Sequence, residues 1–113
     1  MSTQSLATSP SSAISRIPAG ARSVSLFRHG TLELKISLPL APNVQTPHVQ
    51  DELYFIVRGN GVLFHGGERS SFGTGDVLFV AAGVEHHFED FSEDLLIWVV
   101  FYGPPGGETA ATK

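Results

Sequence analysis

The chain has 113 residues, which is enough for one small domain with a single hydrophobic core. Hydrophobic residues make up 42% of it and charged residues 16%, a balance typical of a globular rather than a disordered protein. The 7 basic and 11 acidic residues give a net charge of -4, and the absence of any basic run excludes the usual signature of a nucleic-acid partner. The lack of cysteine excludes disulfides and thiolate metal ligands and fits a reducing compartment.

The two ends of the chain differ in composition from the middle. Residues 1–14 are rich in Ser, Thr and Ala, and residues 106–113 in Gly, Thr and Ala, so we expect flexible tails around a folded domain at 15–105. The first residues lack the positive charge and the apolar stretch of a secretory signal. The longest apolar run, at 95–102, is too short to cross a bilayer. These features predict a cytoplasmic protein without a membrane partner.

Short apolar stretches separated by turn residues follow one another along the middle of the chain. Residues 31–38 alternate in polarity, with Leu or Ile on one face and Glu33, Lys35 and Ser37 on the other, as in a half-buried strand. Prolines indicate a loop at 40–46, and Gly59-Asn60-Gly61 is typical of a hairpin turn. The predicted strands are 21–28, 31–38, 53–58, 62–65, 68–72, 77–80, 86–91 and 95–102. Because no helical periodicity is sustained, the pattern predicts an all-β sandwich or barrel.

Three side chains with metal-binding chemistry flank these strands: His48, Glu52 and one of the neighbours His86 and His87. On a straight strand the Cα atoms of His48 and Glu52 would lie about 13 Å apart, too far to share one ion. A bend at 49–51 would place His48 at the end of one strand and Glu52 at the start of the next, facing one interior. Adjacent strand residues face opposite ways, so only one of the two neighbouring histidines can join them. Two imidazoles and a carboxylate suit Fe, Mn, Ni or Zn, with open positions for water or substrate.

The first part of this constellation resembles the first motif of the cupin family, commonly written G(X)5HXH(X)3–4E(X)6G. Three residues separate His48 from Glu52, and six separate Glu52 from Gly59, as the motif asks. The family's first histidine falls on Thr46, which carries a hydroxyl instead of an imidazole.

The second part resembles the second cupin motif, G(X)5PXG(X)2H(X)3N. Its spacing runs from Gly75 to His86, with Ala81 in place of the proline and Asp90 in place of the asparagine. The resemblance covers residues 22–102. It implies a small single-domain cupin, whose fold is a double-stranded β-helix, or jelly-roll barrel.

The resemblance implies a divalent transition metal held by His48, Glu52 and His86, with His87 facing outward. Because Thr46 is a weak ligand at best, at most three strong ligands remain. Three outcomes stay open: a three-ligand metal site, a weakened site, or a site that binds its ligand without metal. The missing histidine also leaves open a role for Glu52 as a catalytic acid or base.

Four residues are candidates for a substrate pocket: Thr46, Gln50, Tyr54 and Trp98. Gln50 could offer a neutral oxygen if the bend turns it inward, whereas Tyr54 and Trp98 could pack in the core instead. Dioxygenase, isomerase and lyase activities are known on the cupin fold, so the resemblance alone selects no reaction. Two functions stay open: a metal-dependent enzyme acting on a small molecule, or a non-catalytic module that binds or senses a sugar or small acid.

Two apolar stripes are predicted on the outside of the barrel, one at 53, 55 and 57 and the other at 95, 97, 99 and 101. A barrel this small would expose much of that surface unless a second copy covers it. The stripes therefore predict a homodimer, which the cupin resemblance also implies.

Overall fold

A computed structural model describes residues 6–109. Within that range the chain forms one short helix and eight strands, as an all-β prediction requires. The elements are α1 (Pro10–Ile14), β1 (Ser23–His29), β2 (Leu32–Ser37), β3 (Asp51–Arg58), β4 (Gly61–His65), β5 (Glu68–Phe72), β6 (Val77–Val80), β7 (His86–Glu89) and β8 (Leu96–Tyr102). Among residues 6–109, no helix is long and apolar enough to cross a membrane.

The strands form two antiparallel sheets that pack as a jelly-roll barrel. One sheet has five strands in the order β1-β2-β8-β3-β6, and the other has three in the order β5-β4-β7. The main core lies between them and contains Tyr54, Ile56, Leu63, Phe72, Val80, Phe88, Leu95, Ile97 and Val99. Each fully buried side chain of this size contributes roughly 1.5–3 kcal/mol through loss of apolar surface from water.

The strand register decides which side chains enter the barrel. Lys35 of β2 is paired with Val99 of β8, and Val99 with Tyr54 of β3, so the three share one face of the sheet. That face is the interior, because Val99 and Tyr54 belong to the core between the sheets. The predicted alternation of residues 31–38 is therefore confirmed, but the polar side of this strand faces the interior of the barrel.

The opposite face of the five-stranded sheet carries a second apolar cluster. Ile36 and Leu96 are completely buried there, and the segment around α1 packs on them through Ala13, which is also completely buried. Ser9 caps this helix by accepting a hydrogen bond from the backbone N–H of Ser12. Residues 10–14 lie within the predicted flexible tail, yet they cover the sheet; residues 1–5 and 110–113 lie outside the described range.

The prediction of an outer stripe on the last strand is wrong. Ile97, Val99 and Phe101 of β8 line the interior of the barrel, and Leu95 is buried in the main core. The reason is that β8 is the central strand of its sheet and both of its faces are covered, so alternation of polarity is lost. Phe55 of β3, by contrast, lies on the opposite face and remains 37% exposed.

Residues Gly59 and Asn60 connect the two sheets and do not form a hairpin. β3 pairs with β6 and β8, whereas β4 pairs with β5 and β7. The connection is held from both sides: the backbone N–H of Gly59 donates to the Thr74 hydroxyl, and that of Asn60 to the Ser92 hydroxyl. The turn prediction for Gly59 is confirmed in its positive φ, which favours glycine. It is wrong about pairing, because the following strand, β4, does not pair with β3.

Candidate metal centre

Glu52 enters the barrel from the second position of β3. Its side chain is 2% exposed, and its register partners, Phe101 of β8 and Val80 of β6, are apolar. A carboxylate in such surroundings is costly unless a cation or hydrogen-bond donors compensate its charge. The surroundings of its oxygens therefore decide what this residue does.

His48 reaches the same interior from an irregular segment, and residues 49 and 50 form the predicted bend before β3. The backbone carbonyl of His48 accepts a hydrogen bond of 2.7 Å from the N–H of Gly83, which ties this segment to the loop before β7. Its Nε2 lies 3.8 Å from Glu52 Oε1. The expectation that His48 closes a strand is wrong, but the bend that brings it beside Glu52 is present.

His86 is the first residue of β7 and its side chain is 1% exposed. Its Nδ1 lies 2.9 Å from the carbonyl oxygen of Val84. Because a carbonyl only accepts hydrogen bonds, Nδ1 carries the proton, and Nε2 of the neutral ring is left with a lone pair. That lone pair is directed into the site, as in metal-binding histidines whose other nitrogen is held by a backbone carbonyl.

Two buried polar atoms face each other without a hydrogen bond. His86 Nε2 lies 3.2 Å from Glu52 Oε1, and within residues 6–109 neither atom has a hydrogen-bond partner of acceptable geometry. A neutral imidazole lone pair opposite a carboxylate oxygen is unfavourable, and each unsatisfied buried group costs about 1–3 kcal/mol. A cation bound by both atoms would remove this cost.

The donor atoms fit a single divalent transition metal. The ligand atoms of His48, Glu52 and His86 all lie within 4.8 Å of one another. Two bonds of about 2.1 Å span at most about 4.2 Å, and both separations that involve Glu52 are shorter than this limit. Two nitrogens and one oxygen are a donor set suited to Fe, Mn, Ni or Zn.

The surroundings shift the pKa values of both histidines in opposite directions. Burial lowers the pKa of His48, and the neighbouring His86 and Lys35 add to this, although Glu52 opposes it. Burial also lowers the pKa of His86, but the Glu52 carboxylate and the Val84 carbonyl outweigh burial and raise it. His48 is therefore the histidine more readily kept neutral, the form that binds metal.

A cavity of about 210 Å³ opens beside these residues. This volume lies below the roughly 300–1,000 Å³ of pockets for drug-sized molecules, so its ligand is small. Its wall is formed by the site residues His48, Glu52 and Tyr54, the polar residues Ser23, Lys35, Ser37, Asn43 and Gln45, and the apolar residues Pro39, Phe88, Ile97, Val99 and Phe101. Polar side chains thus cover one side of a small chamber next to the candidate ligands.

The pattern of the cupin domain matches residues 40–102, more than half of the chain. The chain belongs to the cupin family. The match begins in the loop before His48 and ends with β8, so it includes all three candidate ligands of this cupin.

Solved structures agree on the fold. A protein from Neisseria meningitidis superposes with a TM-score of 0.70 over 87% of this chain and 100% of its own, at 17% identity. The DMSP lyase DddQ from Ruegeria pomeroyi gives a TM-score of 0.62 over 78% of this chain and 51% of its own, at 22% identity. At such low identities these likenesses show the jelly-roll fold alone.

An uncharacterised protein from Streptomyces coelicolor is similar in sequence. It is 47% identical over 60 residues, which make up 53% of this chain and 57% of that protein. The similarity therefore spans just over half the length of that relative.

The structure separates the four residues predicted for the pocket of this cupin. Tyr54 lines the cavity, and its hydroxyl lies 3.5 Å from Gln45 Oε1. Gln50 points elsewhere, since its amide nitrogen donates to the carbonyls of Thr31 and Gly103. Trp98 packs in the second apolar cluster, and Thr46 is exposed and absent from the cavity wall. Placing Thr46, Gln50 and Trp98 in the pocket is therefore wrong.

Sequence reasoning missed Lys35, Ser37, Asn43 and Gln45 as cavity residues. Lys35 and Ser37 lie on the polar side of an alternating strand, and alternation alone does not show that this side faces the interior. Asn43 and Gln45 lie in a loop, where alternation gives no guidance. Gln45 Nε2 donates to Asn43 Oδ1, which also accepts from the backbone N–H of Phe88, so the loop is fixed against β7.

Asp51 is a further residue that sequence reasoning missed. It is 5% exposed, and its carboxylate accepts hydrogen bonds from the backbone N–H groups of Ala82 at 2.9 Å and Glu108 at 2.8 Å. These bonds hold the loop before β7 and the C-terminal segment against the start of β3. Asp51 therefore fixes the backbone that carries its neighbour Glu52.

Proposed function

We propose that this cupin binds one divalent transition metal through His48, Glu52 and His86 and uses it in an enzymatic reaction on a small molecule. One observation carries the proposal: Glu52 Oε1 and His86 Nε2 are buried, lie 3.2 Å apart and have no hydrogen-bond partner in the part of the chain that the structure describes. Structural β-barrels rarely keep two such groups in contact, because the cost is not repaid by packing. The reaction is of dioxygenase, isomerase or lyase type.

Each of the residues around the site has its own role in holding the metal. The Val84 carbonyl holds the Nδ1 proton of His86, so that Nε2 stays available as a ligand. Glu52 compensates one positive charge, and half-buried His48 joins the centre to the open cavity. Bound there, a divalent metal supplies a Lewis acid for a substrate oxygen or, if it is iron, a centre that reacts with O2.

Tyr54 offers a hydrogen-bond donor on the cavity wall. Burial, with the nearby charge of Glu52, raises the pKa of its hydroxyl far above the usual range. The hydroxyl therefore stays protonated and can donate to a substrate oxygen, but it does not act as a phenolate base.

Elemental analysis of purified protein tests the metal site. Wild type, His86→Ala and His87→Ala are loaded with Mn, Fe, Ni or Zn, freed of excess metal and measured. His87 is the matched control, because it neighbours His86 yet stacks on Phe64 and bonds to Glu89 outside the site. We expect wild type and His87→Ala to retain one of the metals at near one ion per chain and His86→Ala to lose it. Equal, near-zero metal in all three proteins would contradict the proposal.

A second candidate function is a non-catalytic small-molecule binding or sensor module that needs no metal. It is favoured by Thr46, which replaces the imidazole of the family motif, and by the raised pKa of His86, since a protonated His86 would form an ion pair with Glu52. Thermal-shift screening of sugars and small acids with a chelator present separates the two. A ligand that stabilises wild type equally with and without chelator would support this function over the metal-dependent one.

We further propose that the protein is a homodimer. Leu53 and Phe55 of β3 lie beside Val77 and Phe79 of the edge strand β6, and we call these four residues the β6 patch. Val77 is 55% and Phe79 51% exposed. An exposed apolar surface along a sheet edge favours pairing with a second copy.

A further inference from the structure

We infer that Lys35 binds the carboxylate of the substrate, and that the ligand of this cavity is a small organic acid. The inference deepens the proposed function, because it names the substrate class of the same site. It rests on the position of Lys35, on its lack of a partner and on the charge of the cavity.

The strand register directs Lys35 into the cavity. Lys35 is paired with Val99, and Val99 with Tyr54, so these residues form one row across β2, β8 and β3 on the interior face. Glu52 lies two positions before Tyr54 on the same face of β3. With neighbouring strands about 4.8 Å apart, the Lys35 backbone lies about 10 Å from that of Tyr54. The Lys35 side chain and the candidate ligands His48 and Glu52 therefore line the same small cavity.

Lys35 has no anionic partner among residues 6–109. No carboxylate lies within 4.0 Å of its ammonium group, and no hydrogen bond ties its side chain to another residue in that range. The carboxylate nearest in sequence on its face, Glu33, is held by Arg28 at 2.8 Å. A half-buried lysine facing a cavity without a counter-ion is a ready site for an anion.

The net positive charge of the metal-loaded site also favours binding of an anion. A divalent metal and Lys35 together carry three positive charges, and Glu52 is the only acidic residue on the described wall of the cavity. The remaining positive charge acts in a chamber with apolar walls, where charges are poorly screened. After Glu52 is counted, two positive charges remain. A neutral sugar would leave both uncompensated, whereas a monocarboxylate would compensate one of them and a dicarboxylate both.

The cavity wall favours a carboxylate over a phosphate. Its described residues include a single cation, no arginine and no helix N-terminus, the groups that usually share a phosphate's charge. The hydroxyls of Ser23 and Ser37, on the same polar wall, can bind hydroxyl groups of the ligand. A small hydroxy acid therefore matches the site.

Calorimetric titration of the purified protein tests the inference with defined probes. Glycolate, lactate and malonate are each compared with their neutral amides, and inorganic phosphate is included. The proteins are wild type, Lys35→Met, Lys35→Arg and the control Arg16→Met, which removes one positive charge from an exposed position away from the cavity. Each protein is measured metal-loaded and after chelator treatment, and its metal content is recorded.

We expect wild type to bind at least one acid about tenfold or more tightly than its amide, the effect of one charge-assisted contact. Lys35→Met should bind the acid about tenfold more weakly than wild type and the amide equally well. Lys35→Arg should retain most of the affinity for the acid, because it keeps the positive charge. Arg16→Met should bind both probes as wild type does. Equal acid binding by wild type and Lys35→Met would overturn the inference. So would the absence of acid binding by wild type, or phosphate binding tighter than any acid.

The two proposals can fail separately. If wild type retains no metal but still prefers an acid to its amide through Lys35, the metal proposal fails and the inference stands. If wild type retains metal and Lys35→Met binds the acid as tightly as wild type does, the metal proposal stands and the inference about Lys35 fails.

Discussion

Glu52 and His86 form the least compensated contact among the described side chains. Their facing atoms are buried 3.2 Å apart, and Val84 fixes the imidazole tautomer that leaves a lone pair toward the carboxylate. Residues tuned for a ligand often oppose stability in its absence. The metal-free protein should therefore gain stability when this contact is repaired.

Glu52→Gln repairs it. The amide keeps the shape of the carboxylate, and its N–H can donate to His86 Nε2, so we expect the free energy of unfolding in chelator to rise by about 1–3 kcal/mol. Metal affinity should fall strongly, because a neutral amide is a poor ligand. Urea denaturation in chelator and elemental analysis check the two effects. Lower stability of the variant in chelator would show that the contact is not strained.

Asp51 makes stability depend on pH. The backbone N–H groups of Glu108 and Ala82 hold the pKa of its carboxyl below the usual range. A lowered folded-state pKa means that this contribution is complete above the unfolded pKa of about 3.9 and is lost as pH falls through the lower folded value. We expect Asp51→Asn to melt below wild type at neutral pH, with the difference shrinking as pH drops below about 4. Thermal melting across this range checks it, and a constant difference would contradict the assignment.

The sequence predicts the candidate metal ligands better than the residues that surround them. His48, Glu52 and His86 could be chosen from motif spacing, and the structure brings all three together. Asp51 could not be recognised, because its partners lie 31 and 57 residues away along the chain. Lys35 could be assigned to the polar face of its strand, but not to the interior.

In the connection between β3 and β4, Gly59 packs closely against the connection between β7 and β8. Gly59 has a φ of +100°, and a Cβ at this position would lie 2.7 Å from Ser92 Oγ and 2.8 Å from Leu95 Cα. Leu95 Cα is backbone and cannot rotate away. Gly67, in the turn between β4 and β5, has a φ of +86° but open space around it.

These two glycines give a matched pair of substitutions. Gly67→Ala should cost about 1–2 kcal/mol from the left-handed conformation alone. Gly59→Ala should cost the same plus a further 1–3 kcal/mol or so, because the added methyl group would collide with the Leu95 backbone in the connection between β7 and β8. Chemical denaturation measures both. Equal losses for the two variants would contradict the close contact between Gly59 and the Leu95 backbone.

The strands themselves were predictable, but their arrangement was not. Predicted strand bounds differ from the observed ones by two residues or fewer, because glycine and proline mark the ends well. The outer stripe was predicted wrongly for β8, because both faces of that strand are apolar. For β2, alternation shows that the two faces differ and does not show which one is interior. The short helix α1 covers the apolar face of β2, and five residues are too few to give a helical pattern.

The β6 patch is exposed on the surface of the single chain, and a test can show whether a second copy covers it. Phe79→Glu places a charge in the proposed interface, whereas Leu32→Glu makes the same kind of change at the start of β2, across the sheet. Light scattering should give wild type and Leu32→Glu a mass of twice the chain's 12.1 kDa, and Phe79→Glu the single-chain mass. A dimer that survives Phe79→Glu, or a monomeric wild type, would contradict this interface.

An anomalous difference map of metal-loaded wild-type crystals tests directly whether His48, Glu52 and His86 bind one metal ion. We expect one peak, about 2.0–2.3 Å from a nitrogen of His48, a carboxylate oxygen of Glu52 and Nε2 of His86, with the absorption edge identifying the metal. A map without a peak there, in a protein whose Glu52 and His86 are hydrogen-bonded to each other, would contradict it.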